Sequence, residues 1–257
     1  MWVAVLLLAV GIGALAIPIW LFVVSRPEEI GLGTDGDPIA AASPPGAGAG
    51  FAAPPGTREL VRSRNFWSIT ATVGLVWLPV SVLLVHLVPY ATDLGVAPRS
   101  AAFLMSVYAG SGAVGRLGFG RLADRVDKRF VMGCVLLISG TGWASLLGEP
   151  SLIRLGISTA ALGFGVGGVM PLWGALAGAC FGRADIGRVM GLMNPLMLPF
   201  NLIGAPVAAF VYDRTGSYGP ALAVFLGAFA LAALTLSLLR QPDLEPGVAP
   251  ATRGAGA

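Results

Sequence analysis

Gly120-Arg-Leu-Ala-Asp-Arg-Val-Asp-Lys-Arg129 is the stretch whose reading decides the fold. Six of its ten residues are charged, against 11% of the whole chain. Long apolar runs flank it on both sides. A segment this short and this polar between such runs is a tight turn between two membrane-spanning helices, on the side where positive charge collects.

Outward from that turn, composition gives the class. Hydrophobic residues make up 56% of the 257 residues, and the mean hydropathy is +0.81. Soluble domains carry about 45–50% apolar and about 25% charged residues. This chain has too few charges to coat a surface facing water, so it belongs to the membrane class. Its net charge of +3 and pI of 9.2 read as membrane topology rather than nucleic-acid binding, because of where the charges lie. The two cysteines, Cys134 and Cys180, sit in or beside apolar runs with no metal-ligand spacing and read as small core residues. His86 is the one histidine, with no cluster around it to make a metal centre. No cofactor is expected.

Met1–Val24 is an apolar run of the length needed to cross about 30 Å of hydrocarbon. It has neither a basic start nor an Ala-x-Ala-like cleavage site, so it reads as a span rather than a signal peptide. Residues 25–64 read as a cytoplasmic linker, rich in Pro, Gly and Ala up to Pro55. Thr57 is the expected N-cap of a short lead-in. Six further apolar runs follow, at Phe66–Val88, Ala101–Phe119, Phe130–Leu147, Leu152–Ala179, Val189–Val211 and Ala221–Leu239. They form a six-helix unit over residues 65–240, and residues 241–257 form a cytoplasmic tail. The expected fold is all-α, a polytopic bundle of seven transmembrane helices.

Counting basic residues by side orients the bundle. The linker, the Gly120–Arg129 turn, the loop ending at Arg188 and the tail hold thirteen: Arg26, Arg58, Arg62, Arg64, Arg116, Arg121, Arg125, Lys128, Arg129, Arg183, Arg188, Arg240 and Arg253. The other side holds Arg99, Arg154 and Arg214. That asymmetry places the linker and C-terminus in the cytoplasm and the N-terminus outside. The expected location is the inner (plasma) membrane of a bacterium.

The turn also resembles the signature loop of the major facilitator superfamily of transporters. That loop runs Gly, three residues, Asp, a basic residue, one residue, Gly, then two basic residues. Gly120, Asp124, Arg125, Lys128 and Arg129 fall on this pattern, and Asp127 stands where the family has its second Gly. The order of spans, linker and loop resembles the last seven helices of a twelve-helix transporter, so five helices of a complete one are absent. Arg26-Pro-Glu-Glu-Ile-Gly-Leu32 and His86-Leu-Val-Pro-Tyr-Ala-Thr-Asp-Leu-Gly95 are similar to the monocarboxylate and oxalate/formate branch.

The resemblance implies alternating access, with the loop as a latch in which Asp124 and the nearby Arg residues contact neighbouring helix ends. Arg116 lies in a span and shares a helix face with Tyr108 and Gly112. In the monocarboxylate branch an Arg here holds the substrate carboxylate; the acidic partner one turn earlier is Gly112 in this chain. The bland reading of Arg116 is snorkelling to the cytoplasmic surface. Thr70, Gly74, Trp77 and Ser81 align on one helix, and Asn194 and Asn201 lie on another beside Pro195 and Pro199. Trp77, Tyr108, Trp173, Asn194 and Asn201 are the expected cavity lining, with packing between helices as the alternative. No Lys lies on the helix of Asn194, where oxalate/formate exchangers have a second basic residue. No Asp or Glu lies deep in a span, so proton coupling would lean on His86, Asp93 or the absent half.

Gly110-Ser-Gly-Ala-Val-Gly115 and Gly163-Phe-Gly-Val-Gly-Gly168 are literal GxGxxG matches, but both lie inside apolar spans without a preceding strand. They read as close helix packing, not nucleotide binding. No nucleophile–base pair, metal cluster or carboxylate pair suggests an enzyme. The expected function is secondary transport of a small organic solute, an organic anion such as a monocarboxylate. The expected partners are the lipid bilayer, the solute, and a missing N-terminal half or a second copy, with no nucleic acid. The alternative is a non-transporting remnant or a half-transporter subunit that needs a partner.

Overall fold

The structure, a computed structural model, describes residues 10, 13–14, 56–148, 151–182 and 185–240. Apart from those first three residues, the expected first span and the linker up to Pro55 lie outside the described residues. So do Arg183 and the tail from residue 241 onward. The chain divides into two units, Met1–Ala53 and Pro54–Ala257, and the second carries the described helices.

Every regular element among the described residues of that unit is a helix: α1 (Thr57–Arg62), α2 (Arg64–Asp93), α3 (Pro98–Ala123), α4 (Lys128–Ser145), α5 (Leu152–Phe181), α6 (Ile186–Thr215) and α7 (Gly219–Ser237). Four of them, α2, α5, α6 and α7, are long and apolar enough to cross a membrane. The other two expected spans are present as helices with diluted apolar character. α3 carries Arg99, Arg116, Arg121 and five glycines, and α4 opens on Lys128 and Arg129. The unit is an all-α polytopic membrane helix bundle.

Two central helices organise it. α2 packs along α6 and α7, α5 packs along α3 and α4, and α2 and α5 also meet. The sets α2–α4 and α5–α7 thus exchange partners, the first helix of each lying against the second and third of the other. In α2 and α5, 61% of the most apolar window is buried inside the bundle, against 17% in α6. A helix apolar all round goes to the centre; one with lipid or another protein beside it need not.

Glycine sets the approach of α3 and α5. A Cβ at Gly115 would overlap the Phe164 carbonyl, and one at Gly167 the Gly112 carbonyl. Both positions need glycine because backbone meets backbone. α2 and α7 are joined by polar groups instead. The Ser68 hydroxyl donates to the Thr235 carbonyl at 2.7 Å, and the Thr72 and Thr235 hydroxyls pair at 2.9 Å. Asn65 and the Arg240 backbone exchange two hydrogen bonds of 2.8 and 3.0 Å. Water is absent from the hydrocarbon, so these groups must satisfy one another.

The helix ends have local causes. Ser63 caps α2 by accepting from Phe66 N–H at 3.1 Å, and Ser151 caps α5 by accepting from Arg154 N–H at 3.2 Å. Gly216 ends α6 at φ 66°, a left-handed conformation that glycine adopts freely. The expected cap of α1 needs correction: Gly56, not Thr57, is its N-cap. The Glu59 carboxylate reaches back to Gly56 N–H at 3.1 Å, which starts the helix one residue earlier. Thr57 becomes the first helical residue, and its hydroxyl accepts from the Arg188 guanidinium.

Candidate functional site

Arg116 lies on the exposed side of α3, beside Gly115, which is buried against α5. It precedes the end of α3 by seven residues, about 10 Å at 1.5 Å per residue. Among the described residues its guanidinium makes no hydrogen bond and no ion pair. The partly buried Tyr108 is two turns earlier, its backbone carbonyl against Gly163 of α5. Gly112, between them, faces the Gly163 carbonyl, from which an added Cβ would stand 3.3 Å.

The other expected lining residues fall in two settings. Asn194 and Asn201 are exposed on α6, and Asn194 Nδ2 donates to the Met190 carbonyl at 3.1 Å. Trp173 is buried between α5 and α6, where its indole N–H points at the Met193 sulfur at 3.4 Å. Trp77 on α2 is half-buried, while its helix-face neighbours pack. Thr70 donates to the Phe66 carbonyl, Gly74 receives the Phe200 ring, and Ser81 covers Gly204 of α6. Arg116 is thus exposed on α3, Asn194 and Asn201 are exposed on α6, and Trp173 meets α6 from α5 at Met193. A surface groove of about 600 Å³ between the starts of α3 and α5, lined by Arg99, Ser100, Phe103, Ser106, Leu152 and Gly156 among others, includes none of them.

The Gly120–Arg129 stretch is the end of α3, a turn, and the start of α4. Arg125 and Val126 N–H groups bond back to the Leu122 carbonyl at 3.1 and 2.9 Å. Asp127 is the N-cap of α4, its Oδ1 accepting from Arg129 and Phe130 N–H at 2.8 and 3.0 Å. Its φ of −51° needs no glycine, which explains an aspartate at this place. Arg129 Nη2 donates to the Ser237 carbonyl at 2.8 Å, a cation on the negative end of α7. Gly120 lies inside α3 opposite Pro171 of α5. Asp124, Arg125 and Arg121 are exposed, and Lys128 is half-exposed. Asp124 makes no hydrogen bond or ion pair among the described residues.

Basic residues gather at this end of the bundle. Arg58, Arg62, Arg64, Arg121, Arg125, Lys128, Arg129, Arg188 and Arg240 lie here, and Arg99, Arg154 and Arg214 at the opposite end. That opposite end holds a polar cluster the sequence shows only in part. His86 and Asp93 stand out as ionisable residues near a span end. Tyr212 and Tyr218, which bond to them, are separated from them by more than a hundred residues and carry no local signal.

A sequence model described as Major Facilitator Superfamily matches residues 1–194 and again residues 72–256. The chain is 32% identical over 176 residues to monocarboxylate transporter 13 of Bos taurus, covering 68% of this chain and 41% of that protein. It is 31% identical to monocarboxylate transporter 12-B of Danio rerio, over 62% of this chain and 34% of that one. It is also 29% identical to the multidrug efflux pump Tap of Mycobacterium tuberculosis, over 71% of this chain and 43% of the pump. The matched region is less than half the length of each of these relatives. With the family model covering well over half of its residues, this chain belongs to the Major Facilitator Superfamily.

Proposed function

We propose that the chain forms one half, the C-terminal one, of a secondary transporter for a small organic anion of the monocarboxylate class. Arg116 carries this reading: a cation exposed on a span, with no anionic partner among the described residues. An arginine in hydrocarbon is costly, so such a residue marks a solute path by default. The similarity to two monocarboxylate transporters, at 32% and 31% identity, supports the anion class, and the 29% identity to a drug pump points to the competing solute class. Superfamily membership is consistent with a non-enzymatic role.

In this reading the basic end of the bundle is cytoplasmic. The solute binds between the exposed sides of α3 and α6 and a second half, and rocking of the halves alternates access. The Gly120–Arg129 turn, fastened to α7 through Arg129, is the cytoplasmic latch. A half-transporter subunit that works only with its partner is the second reading, favoured by relatives more than twice as long as the matched region.

Uptake of labelled pyruvate into proteoliposomes, with the purified chain alone and together with a co-expressed first half, tests both. Saturable uptake that Arg116→Lys lowers at least tenfold is the expected result, since a bidentate guanidinium–carboxylate pair is lost. Intact uptake in Arg116→Lys would end the anion-binding role. Flux only with the co-expressed half would establish the second reading.

A further inference from the structure

α4 and α7 are tied to each other at both ends. At one end the Trp143 indole N–H donates to the Leu222 carbonyl at 2.8 Å. At the other, Arg129 Nη2 donates to the Ser237 carbonyl at 2.8 Å. Between these ties the helices carry small residues, Gly133, Gly140 and Ala144 on α4 and Ala230 and Ala233 on α7. They leave an open groove of about 590 Å³. At Gly133 an added Cβ would meet nothing within 4 Å. The rest of the lining is apolar except Thr141, whose hydroxyl is turned back to the Leu137 and Ile138 carbonyls at 2.9 and 3.0 Å. The wall therefore offers contact to hydrocarbon and no hydrogen bond to a polar solute.

The groove has a cationic mouth. Gly133, Leu137, Gly140 and Ala144 form one stripe of α4, and Arg129 stands one turn before them on the same stripe. Leu226, Ala230 and Ala233 form the matching stripe of α7, and Ser237 stands one turn after them. The Arg129–Ser237 contact is thus the next turn of the groove itself. Lys128 adjoins it, half-exposed, and the exposed Arg240 follows Ser237 by three residues. The nearby Asp127 carboxylate is turned to the first N–H groups of α4. Arg129 gives one N–H group to Ser237, and a guanidinium has others to offer an anion. From Gly133 to Ala144 the groove runs about 16 Å at 1.5 Å per residue. One leaflet of hydrocarbon is about 15 Å deep. A groove one leaflet long, apolar along its length and cationic at its water end, has the charge pattern of an anionic lipid.

We propose that the α4/α7 groove binds an anionic phospholipid of the bilayer, with an acyl chain between the helices and the headgroup phosphate on Arg129 and Lys128. A second copy in the same membrane orientation would instead bring two cationic mouths to one depth, like charge against like. The site requires only that the chain spans a membrane, not that it transports. Its test uses the full chain in phosphatidylcholine nanodiscs, with a trace of phosphatidylglycerol or phosphatidylcholine that carries a photoreactive acyl chain. Labelled peptides are mapped by mass spectrometry. Phosphatidylglycerol is expected to label residues 129–144 and 226–240 about tenfold more than phosphatidylcholine does. Lys128→Gln should lower that labelling about fivefold, the share of one cation at the surface. Arg99→Gln, at the other end of the bundle, should leave it unchanged. Gly133→Leu fills the groove without displacing a neighbour and should remove the labelling by both lipids there, with Tm preserved. Equal labelling by the two lipids, labelling that survives Gly133→Leu, or a drop in Arg99→Gln as large as in Lys128→Gln would each overturn the site. So would a dimer whose groove takes no label, since a second copy would then cover it.

Discussion

Two hydroxyls at the seam of α4 and α5 set a cost that single substitutions can measure. Ser139 Oγ and Thr159 Oγ1 are fully buried and lack a hydrogen-bond partner among the described residues. Their neighbours fare better: Ser158 donates to the Arg154 carbonyl at 2.8 Å and pairs with Ser145. An unpartnered buried polar group costs about 1–3 kcal/mol. Ser139→Ala removes the unpartnered oxygen, so it should raise stability by about 1 kcal/mol. Ser158→Ala should lower it by a similar amount, because it leaves the Arg154 carbonyl and Ser145 without their partner. Thermal unfolding in detergent, followed by circular dichroism, reads both signs. A lower Tm for Ser139→Ala would mean that its hydroxyl is satisfied in the membrane. At this scale the sequence reveals residue types but not partners. An aspartate in a glycine position of the loop looks like a flaw until its carboxylate is seen capping α4.

Helices were legible as apolar runs, and every expected run in residues 66–239 is a helix. Their ends were not. α2 continues five residues past Val88 to Asp93, and α6 continues past Val211 to Thr215, because a helix outlasts its apolar stretch once it reaches water. Which helices touch was also hidden, since helices apolar all round advertise no face. The two GxGxxG matches did carry usable information about packing, and they predict unequal effects within one motif. An alanine Cβ at Gly115 would overlap the Phe164 carbonyl, whereas one at Gly110 meets nothing within 4 Å. Gly115→Ala therefore forces α3 away from α5 and should cost about 1–3 kcal/mol, the range for overpacking. Gly110→Ala should be neutral or slightly stabilising, since alanine favours helix by about 1 kcal/mol over glycine. The midpoint of heat-induced aggregation in detergent separates the two. Equal midpoints would show that α3 and α5 are free to part.

At the scale of the whole unit, α3 and α6 each leave an exposed side whose chemistry does not suit lipid. α3 and α6 present Arg116, Asn194 and Asn201 on their exposed sides, and only 17% of the most apolar window of α6 is buried. Placing an arginine at a helix centre in hydrocarbon costs about 2.5–3.5 kcal/mol on the insertion scale. The exposed side of α4 is different: Leu137 stands 67% exposed among apolar neighbours, as a lipid-facing residue should. Protein is therefore expected against the exposed sides of α3 and α6 in the membrane, and lipid against α4. Cysteines at Ala113, one turn before Arg116, and at Leu198, between the two asparagines, should cross-link to a neighbouring polypeptide when membranes are oxidised. Leu137→Cys should not, and the unmodified chain, whose Cys134 and Cys180 are half-buried, is the background. A product at twice the 26.2 kDa of this chain would make the partner a second copy, and a product of another mass would make it a separate first half. Either result would put Arg116 at an interface between halves, where a solute anion can reach it. Cross-linking confined to Leu137→Cys, or absent at all three positions, would leave Arg116 facing lipid, and the half-transporter reading would fail with it.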